Sequence, residues 1–335
     1  MARKIKDAEV RWGVLGVGDV CEVKSAPAMN LIDNSRLVAV MRRNAALAED
    51  YARRHGVPKW YGDATELITD TDVNAIYIAT PPNAHRDLAL QAAAAGKPVY
   101  VEKPMARTYA ECRDMIAGCE RAGVPLYVAY YRRCLPHFVK ARELLRSGAI
   151  GEVREVRITL NQEPVPQVVG KRDDNWRVDP EVAGGGYFYD LASHQLDLLD
   201  FLLGPIMAAR GFTANQAGQY AAEDIVSAAM RFESGVLGSG SWCFTAGSVS
   251  AADEILIVGS TGQMTFATFG TGEILLDTDA AGERVFAFDL PAHIQQPLIE
   301  SVVRDLLGTG ACVSTGETGA RTNRIMESIC TGDRP

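Results

Sequence analysis

Residues 13–21 read GVLGVGDVC, and with Val10, Arg11 and Trp12 ahead of them they form an apolar run that breaks at two glycines. Gly16 and Gly18 fall where a first strand would turn into a helix. There a dinucleotide's pyrophosphate can approach bare backbone and meet the N–H groups of Asp19 and Val20 at the helix start. The third position of that fingerprint is Cys21 rather than glycine, a small residue that still permits close packing of helix on strand. Two glycines alone turn chains everywhere, so the surrounding pattern has to decide.

That pattern alternates. Short β-branched runs at 10–16, 36–41, 74–80, 98–102 and 125–130 are separated by alanine-rich helical segments at 19–30, 45–55, 84–95 and 108–122. Strand alternating with helix predicts an α/β Rossmann domain with a doubly wound parallel sheet. After about residue 150 the pattern changes. An apolar helix at 187–203 precedes runs at 224–232, 235–244, 254–260, 262–269 and 272–278, which read as antiparallel strands of an α+β domain with a large open sheet. Two more helices are expected near 295–308 and 316–330. The expected domains are 1–130, for the dinucleotide, and 131–335, for substrate and oligomerisation, with a C-terminal helix able to pack back on the first.

Composition bounds the function. At 335 residues the chain exceeds the roughly 250–300 at which one core stops growing. Hydrophobic residues at 47% and charged residues at 23% are globular values, and a net charge of -8 argues against nucleic acid or an anionic membrane as partner. Seven cysteines without a C-x-x-C pair suggest neither a disulfide framework nor a zinc site, which fits a cytoplasmic protein. The first residues, where acids and glycines interrupt the apolar stretch, are expected to form neither signal peptide nor anchor.

The second strand ends VAVMRRN. An acid here would take a ribose 2′-hydroxyl, but none occurs between Arg36 and Leu47. Arg42 and Arg43 stand in its place, and a guanidinium suits a 2′-phosphate, so NADP(H) is favoured with NAD(H) as the alternative. Two solvated arginines are the plainer reading. The next two strands end in Thr80-Pro81-Pro82-Asn83-Ala84-His85 and in Glu102-Lys103-Pro104. Such strand ends face the ligand crevice of a doubly wound sheet. Thr80, Pro81, Asn83, His85, Glu102 and Lys103 are therefore expected beside the cofactor.

In GGGYFYDLASHQLDLLDFLLG, residues 184–204, Asp190 and His194 stand four apart in an apolar helix. Metal ligation, acid–base chemistry and simple burial all compete for this pair. No second His or Cys lies at ligand spacing, so no metal site is expected.

Together, GVGDVC, ATPPNAH, VEKPMA, AYYRRCLP, the 184–204 stretch and the closing TGARTNRIM resemble the Gfo/Idh/MocA oxidoreductases over nearly the full length. The resemblance implies hydride transfer between a nicotinamide and a secondary alcohol or carbonyl of a sugar, sugar derivative or cyclitol. It places the family's catalytic residues on Lys103, Asp190 and His194. His194 is the expected acid–base, with Lys103 as hydrogen-bond donor to the reacting oxygen or as the proton acceptor itself. Tyr131, Arg133, Trp176, Arg177, Asp190 and His194 are the expected substrate contacts. An open sheet face needs a cover, so a homodimer or homotetramer is expected. A non-catalytic NADP-binding sensor and a nicotinamide-assisted glycoside hydrolase of the same fold are the other readings.

Overall fold

Six strands, β1 (Val10–Leu15), β2 (Ser35–Met41), β3 (Lys59–Tyr61), β4 (Ala75–Ile78), β5 (Val99–Val101) and β6 (Leu126–Val128), pair in parallel in the order β3-β2-β1-β4-β5-β6. This is the Rossmann strand order, with its switch point between β1 and β4. The computed structural model describes residues 5–164 and 175–332. Two units divide the chain: Met1–Tyr131 with Pro291–Ala320, and Arg132–Leu290 with Arg321–Pro335. Where the sequence pattern runs the second domain through to 335, residues 291–320 thus cluster with the Rossmann strands.

The local code of the first unit is explicit. Helix Ala45–His55 starts at Asn44, whose side chain accepts from the Leu47 N–H, and ends at Gly56 in the left-handed region. Helix Tyr109–Ala122 starts at Thr108, which caps the Glu111 N–H. Strands β4, β5 and β6 are buried at every position, as a sheet covered on both faces requires. The helix expected over 19–30 is different. It is a π-helical turn, Val20–Lys24, followed by a 3-10 turn, Ala26–Asn30. Pro27 has no N–H to give and its ring would clash with the preceding turn, so one α-helix cannot run through.

In the second unit, strands β7 (Val153–Asn161), β8 (Ile206–Ala214), β9 (Ile225–Phe232), β10 (Leu237–Cys243), β11 (Ala252–Gly259), β12 (Gly262–Phe266), β13 (Glu273–Thr278) and β14 (Gly282–Ala287) form one sheet, ordered β14-β13-β12-β11-β7-β10-β9-β8. All neighbours pair antiparallel except β7 and β10, which run parallel. Along β9, Val226, Ala228, Met230 and Phe232 are buried while Ser227, Ala229 and Arg231 are exposed. The period of two marks one covered and one open face.

The helix expected over 187–203 is also two pieces. Phe188–Ala192 is a π-helical turn and Ser193–Leu203 is α-helical, buried from Ser193 through Leu202. Asp190 therefore lies in the wider π-turn and His194 in the α-turn, so regular i,i+4 geometry does not relate them. Gly185 and Gly186 precede them because backbone is crowded there. A Cβ on Gly185 would stand 2.2 Å from the Tyr189 ring, and one on Gly186 2.9 Å from the Glu223 carbonyl. Among the described residues, no helix is long and apolar enough to cross a membrane.

Candidate active site

In the first unit the two glycines differ in what they need. Gly16 has φ +91°, and a Cβ there would meet Thr80 backbone N at 2.9 Å, because the ends of β1 and β4 touch at the switch point. Gly18 faces open space, with Gly16 O at 4.0 Å the nearest atom to a Cβ. No protein atom demands glycine at 18; the bare backbone there leaves the space a pyrophosphate would fill. Thr80 Oγ1 is buried without a hydrogen-bond partner among the described residues. Both features fit a bound dinucleotide. Cys21 is fully buried, and burial pushes its thiol up to about 12, so it acts as a packing residue.

Arg42 and Arg43 are exposed after β2, and Arg42 Nη1 donates to the Val17 carbonyl at 3.4 Å, which keeps one guanidinium against the glycine loop. Asp19 and Asn83 are exposed; Val20 and Pro81 are half-buried. His85 is fully buried, its ring nitrogens 2.8 Å from the Thr80 carbonyl and 3.1 Å from that of Met105. It ties the loop after β4 to the loop after β5. Burial lowers its pKa, against the pull of the two carbonyls.

Glu102 is also held inside the unit. Its Oε1 accepts from the Tyr77 hydroxyl at 2.5 Å and from Gln295 Nε2 at 2.6 Å, and its Oε2 from the Lys103 backbone N–H at 3.1 Å. Tyr100 donates to Gln295 Oε1 at 2.9 Å, and the Gln295 N–H donates to the Lys24 carbonyl at 3.0 Å. Burial, then the charge of Glu102, raises the Tyr77 hydroxyl well above its ordinary value. Lys103 follows on this clamp, half-buried. Gln295 escaped the sequence reading because no local signal links it to Glu102, 193 residues earlier.

In the second unit, Asp190 is buried and lies 3.2 Å from Arg177 Nε, and the Arg177 guanidinium stands 4.5 Å from the centroid of the Trp176 ring. The structure brings these three together. His194 is buried beside the Phe269 ring, edge to face, with centroids 5.9 Å apart. Tyr131 is buried at the start of a 3-10 turn. Arg133 is placed differently from an open substrate contact. Its side chain is 3% exposed and donates to both oxygens of Asp197, at 2.8 and 2.7 Å, and to Asp200 at 3.3 Å. Arg321 joins Asp200 at 2.6 Å, so Asp197 and Asp200 of the helix, Arg133 of AYYRRCLP and Arg321 of TGARTNRIM form one network around two buried carboxylates. Burial raises the Asp197 carboxyl, and Arg133 offsets this in part. Among the described residues, no group of three or more His, Cys, Asp or Glu is placed to hold a metal ion.

Residues 10–130 match the family model described as an oxidoreductase family with an NAD-binding Rossmann fold, and residues 138–265 match the GFO/IDH/MocA C-terminal domain. The chain belongs to the GFO/IDH/MocA oxidoreductases. It is 39% identical over 324 residues to Oxidoreductase P35 of Formosa agariphila, covering 97% of this chain and 99% of that one. It is 29% identical to a 1,5-anhydro-D-fructose reductase of Ensifer adhaerens, covering 92% of each. Among solved structures, levoglucosan dehydrogenase in complex with NADH and levoglucosan superposes with a TM-score of 0.87 at 23% identity over 97% of each chain, a likeness of fold. The protein is thus an oxidoreductase with an NAD-binding fold.

Proposed function

We propose that this GFO/IDH/MocA protein is an NADP(H)-preferring dehydrogenase or reductase acting on a secondary alcohol or carbonyl of a neutral sugar, sugar derivative or cyclitol. The observation that carries the reading is the pairing of Asp190 with Arg177 over Trp176, four residues before His194. An apolar ring face next to charged hydrogen-bonding groups suits a polyhydroxylated ring. The 1,5-anhydro-D-fructose reductase and a 30% identical myo-inositol 2-dehydrogenase of Thermotoga maritima, matched over 68% of this chain, support the substrate class.

A bound nicotinamide would take or give the hydride. Gly16, Gly18, Asp19, Val20 and the Thr80–His85 loop would hold its dinucleotide, and Arg42 and Arg43 a 2′-phosphate. Lys103 is proposed to donate a hydrogen bond to the reacting oxygen, where a cation stabilises developing alkoxide. His194 takes the hydroxyl proton in oxidation and returns it in reduction. Asp190 accepts from a neighbouring substrate hydroxyl. Arg133 orients the helix that carries His194 rather than touching substrate.

The same proposal includes a reducing, cytoplasmic setting, supported by seven free thiols, and a homo-oligomer. Phe212 and Leu237, exposed on the open sheet face, support the latter. The test is a spectrophotometric screen of neutral sugars, sugar acids and cyclitols with NADP+ and NAD+ side by side. Stoichiometric reduction of NADP+ by a neutral polyol is expected. Binding without reduction would identify a sensor, and bond cleavage without net reduction a glycoside hydrolase.

A further inference from the structure

Gln195, the residue after His194, is fully buried. Its Oε1 accepts from Trp242 Nε1 at 2.7 Å, and its Nε2 donates to Asp253 Oδ1 at 3.4 Å. The other Asp253 oxygen accepts from the Phe269 backbone N–H at 2.6 Å. The Phe269 ring stands against the His194 imidazole, with planes at 81°. Arg132 braces the same loop: its guanidinium lies 4.5 Å from the centroid of the Phe269 ring, and its Nε donates to the Thr268 carbonyl at 3.0 Å. These contacts close a circuit. His194 is bonded to Gln195, Gln195 to Asp253, Asp253 to the Phe269 backbone, and the Phe269 ring returns to His194.

Donor and acceptor types set the direction of this circuit. Trp242 Nε1–H can only donate, so Gln195 must turn its oxygen to it and its amide nitrogen to Asp253. The Phe269 N–H can only donate as well. Asp253 therefore meets a donor on each oxygen. A carboxylate accepts both; an asparagine would set one N–H group against another. The half-buried carboxylate is kept for this double acceptance, since the Gln195 amide it meets is fully buried and an unmatched buried donor is costly.

The geometry points to Asp253 as a positioning residue for His194, acting through Gln195 on the helix and through Phe269 on the loop after β12. Its effect on turnover rests on the proposed acid–base role of His194; its effect on the imidazole does not. An imidazole that rests on the Phe269 ring, on a helix turn fixed through Gln195, keeps the narrow orientation that proton transfer needs.

The test exchanges the two side chains. Asp253→Asn alone sets amide against amide, and Gln195→Glu alone sets carboxylate against carboxylate. The double variant Gln195→Glu/Asp253→Asn restores the order: the carboxylate at 195 accepts from Trp242 and from the amide at 253, whose oxygen accepts from Phe269. Two readouts are taken. The His194 ring resonance in a carbon–proton NMR spectrum, assigned by its loss in His194→Gln, reports the Phe269 ring current without any substrate. It is expected to move in each single variant and in Phe269→Leu, and to return in the double. With an active substrate, each single variant is expected to lose about 10- to 100-fold in kcat, with KM changed by less than about threefold, and the double to recover most of that loss. Single variants that leave both resonance and kcat in place, or a double variant that restores neither, would overturn the assignment. If no alcohol is turned over, the functional reading fails while the resonance still decides the positioning.

Discussion

Arg177 Nε lies 3.2 Å from the Asp190 carboxylate, so the arginine on the Trp176 ring has its charge matched before any substrate arrives. A substrate carboxylate brought to Arg177 would meet Asp190 as well. Neutral polyols are therefore expected to outcompete the corresponding sugar acids. Asp190→Asn should shift the ratio of kcat/KM for acid over neutral substrate upward by about tenfold, the equivalent of ~1.4 kcal/mol. An unchanged ratio would remove Asp190 from substrate selection.

Lys103→Ala and His194→Ala should each lower turnover by about 10²-fold, the lower end of acid–base contributions. NADPH affinity, read by fluorescence titration, should stay within several fold. Normal turnover in both variants would show the catalytic assignment to be wrong.

Replacing Arg42 and Arg43 together by alanine should weaken NADPH by about 10- to 100-fold, since hydrogen bonds to charged groups contribute ~1.5–3 kcal/mol. NADH lacks the 2′-phosphate and should lose little. Equal losses for the two cofactors would sink the NADP(H) preference.

Arg133→Ala should destabilise the protein by about 3–5 kcal/mol, because it strands Asp197 as a buried charge. The check is the midpoint of chemical denaturation. An unmoved midpoint with a raised KM would return Arg133 to the substrate contacts.

Glu22 accepts from Arg54 at 2.7 and 2.9 Å and lies 2.8 Å from His55, which joins the turn after the glycine loop to helix Ala45–His55. The Arg54 hydrogen bonds lead in holding its carboxyl down at about 2, below its ordinary 4.5. The unfolded chain thus binds the proton first as pH falls. The stabilisation is complete above 4.5 and is lost on the way to 2. Thermal melts of Glu22→Gln should lie below wild type at neutral pH and converge with it near pH 2. A constant gap would contradict this.

Local pattern was enough to make the first unit a parallel sheet, because burial on both faces writes near-continuous apolar runs into β4, β5 and β6. It also determined the caps, since Asn44 and Thr108 act on residues three positions away. It marked Gly16, Lys103, Asp190 and His194 as the residues to ask about. Tertiary structure decided what surrounds them. Gly16 is glycine because β4 passes beside β1, and Glu102 meets Gln295 because residues 291–320 belong to the Rossmann unit. Arg133 became an ion-pair partner because Asp197 and Asp200 reach it across more than sixty residues of chain. Asp253 and Phe269 have no signature in their own neighbourhoods. Hydrogen bonds and ring contacts act over a few ångströms of space, and local pattern reports only what neighbours along the chain.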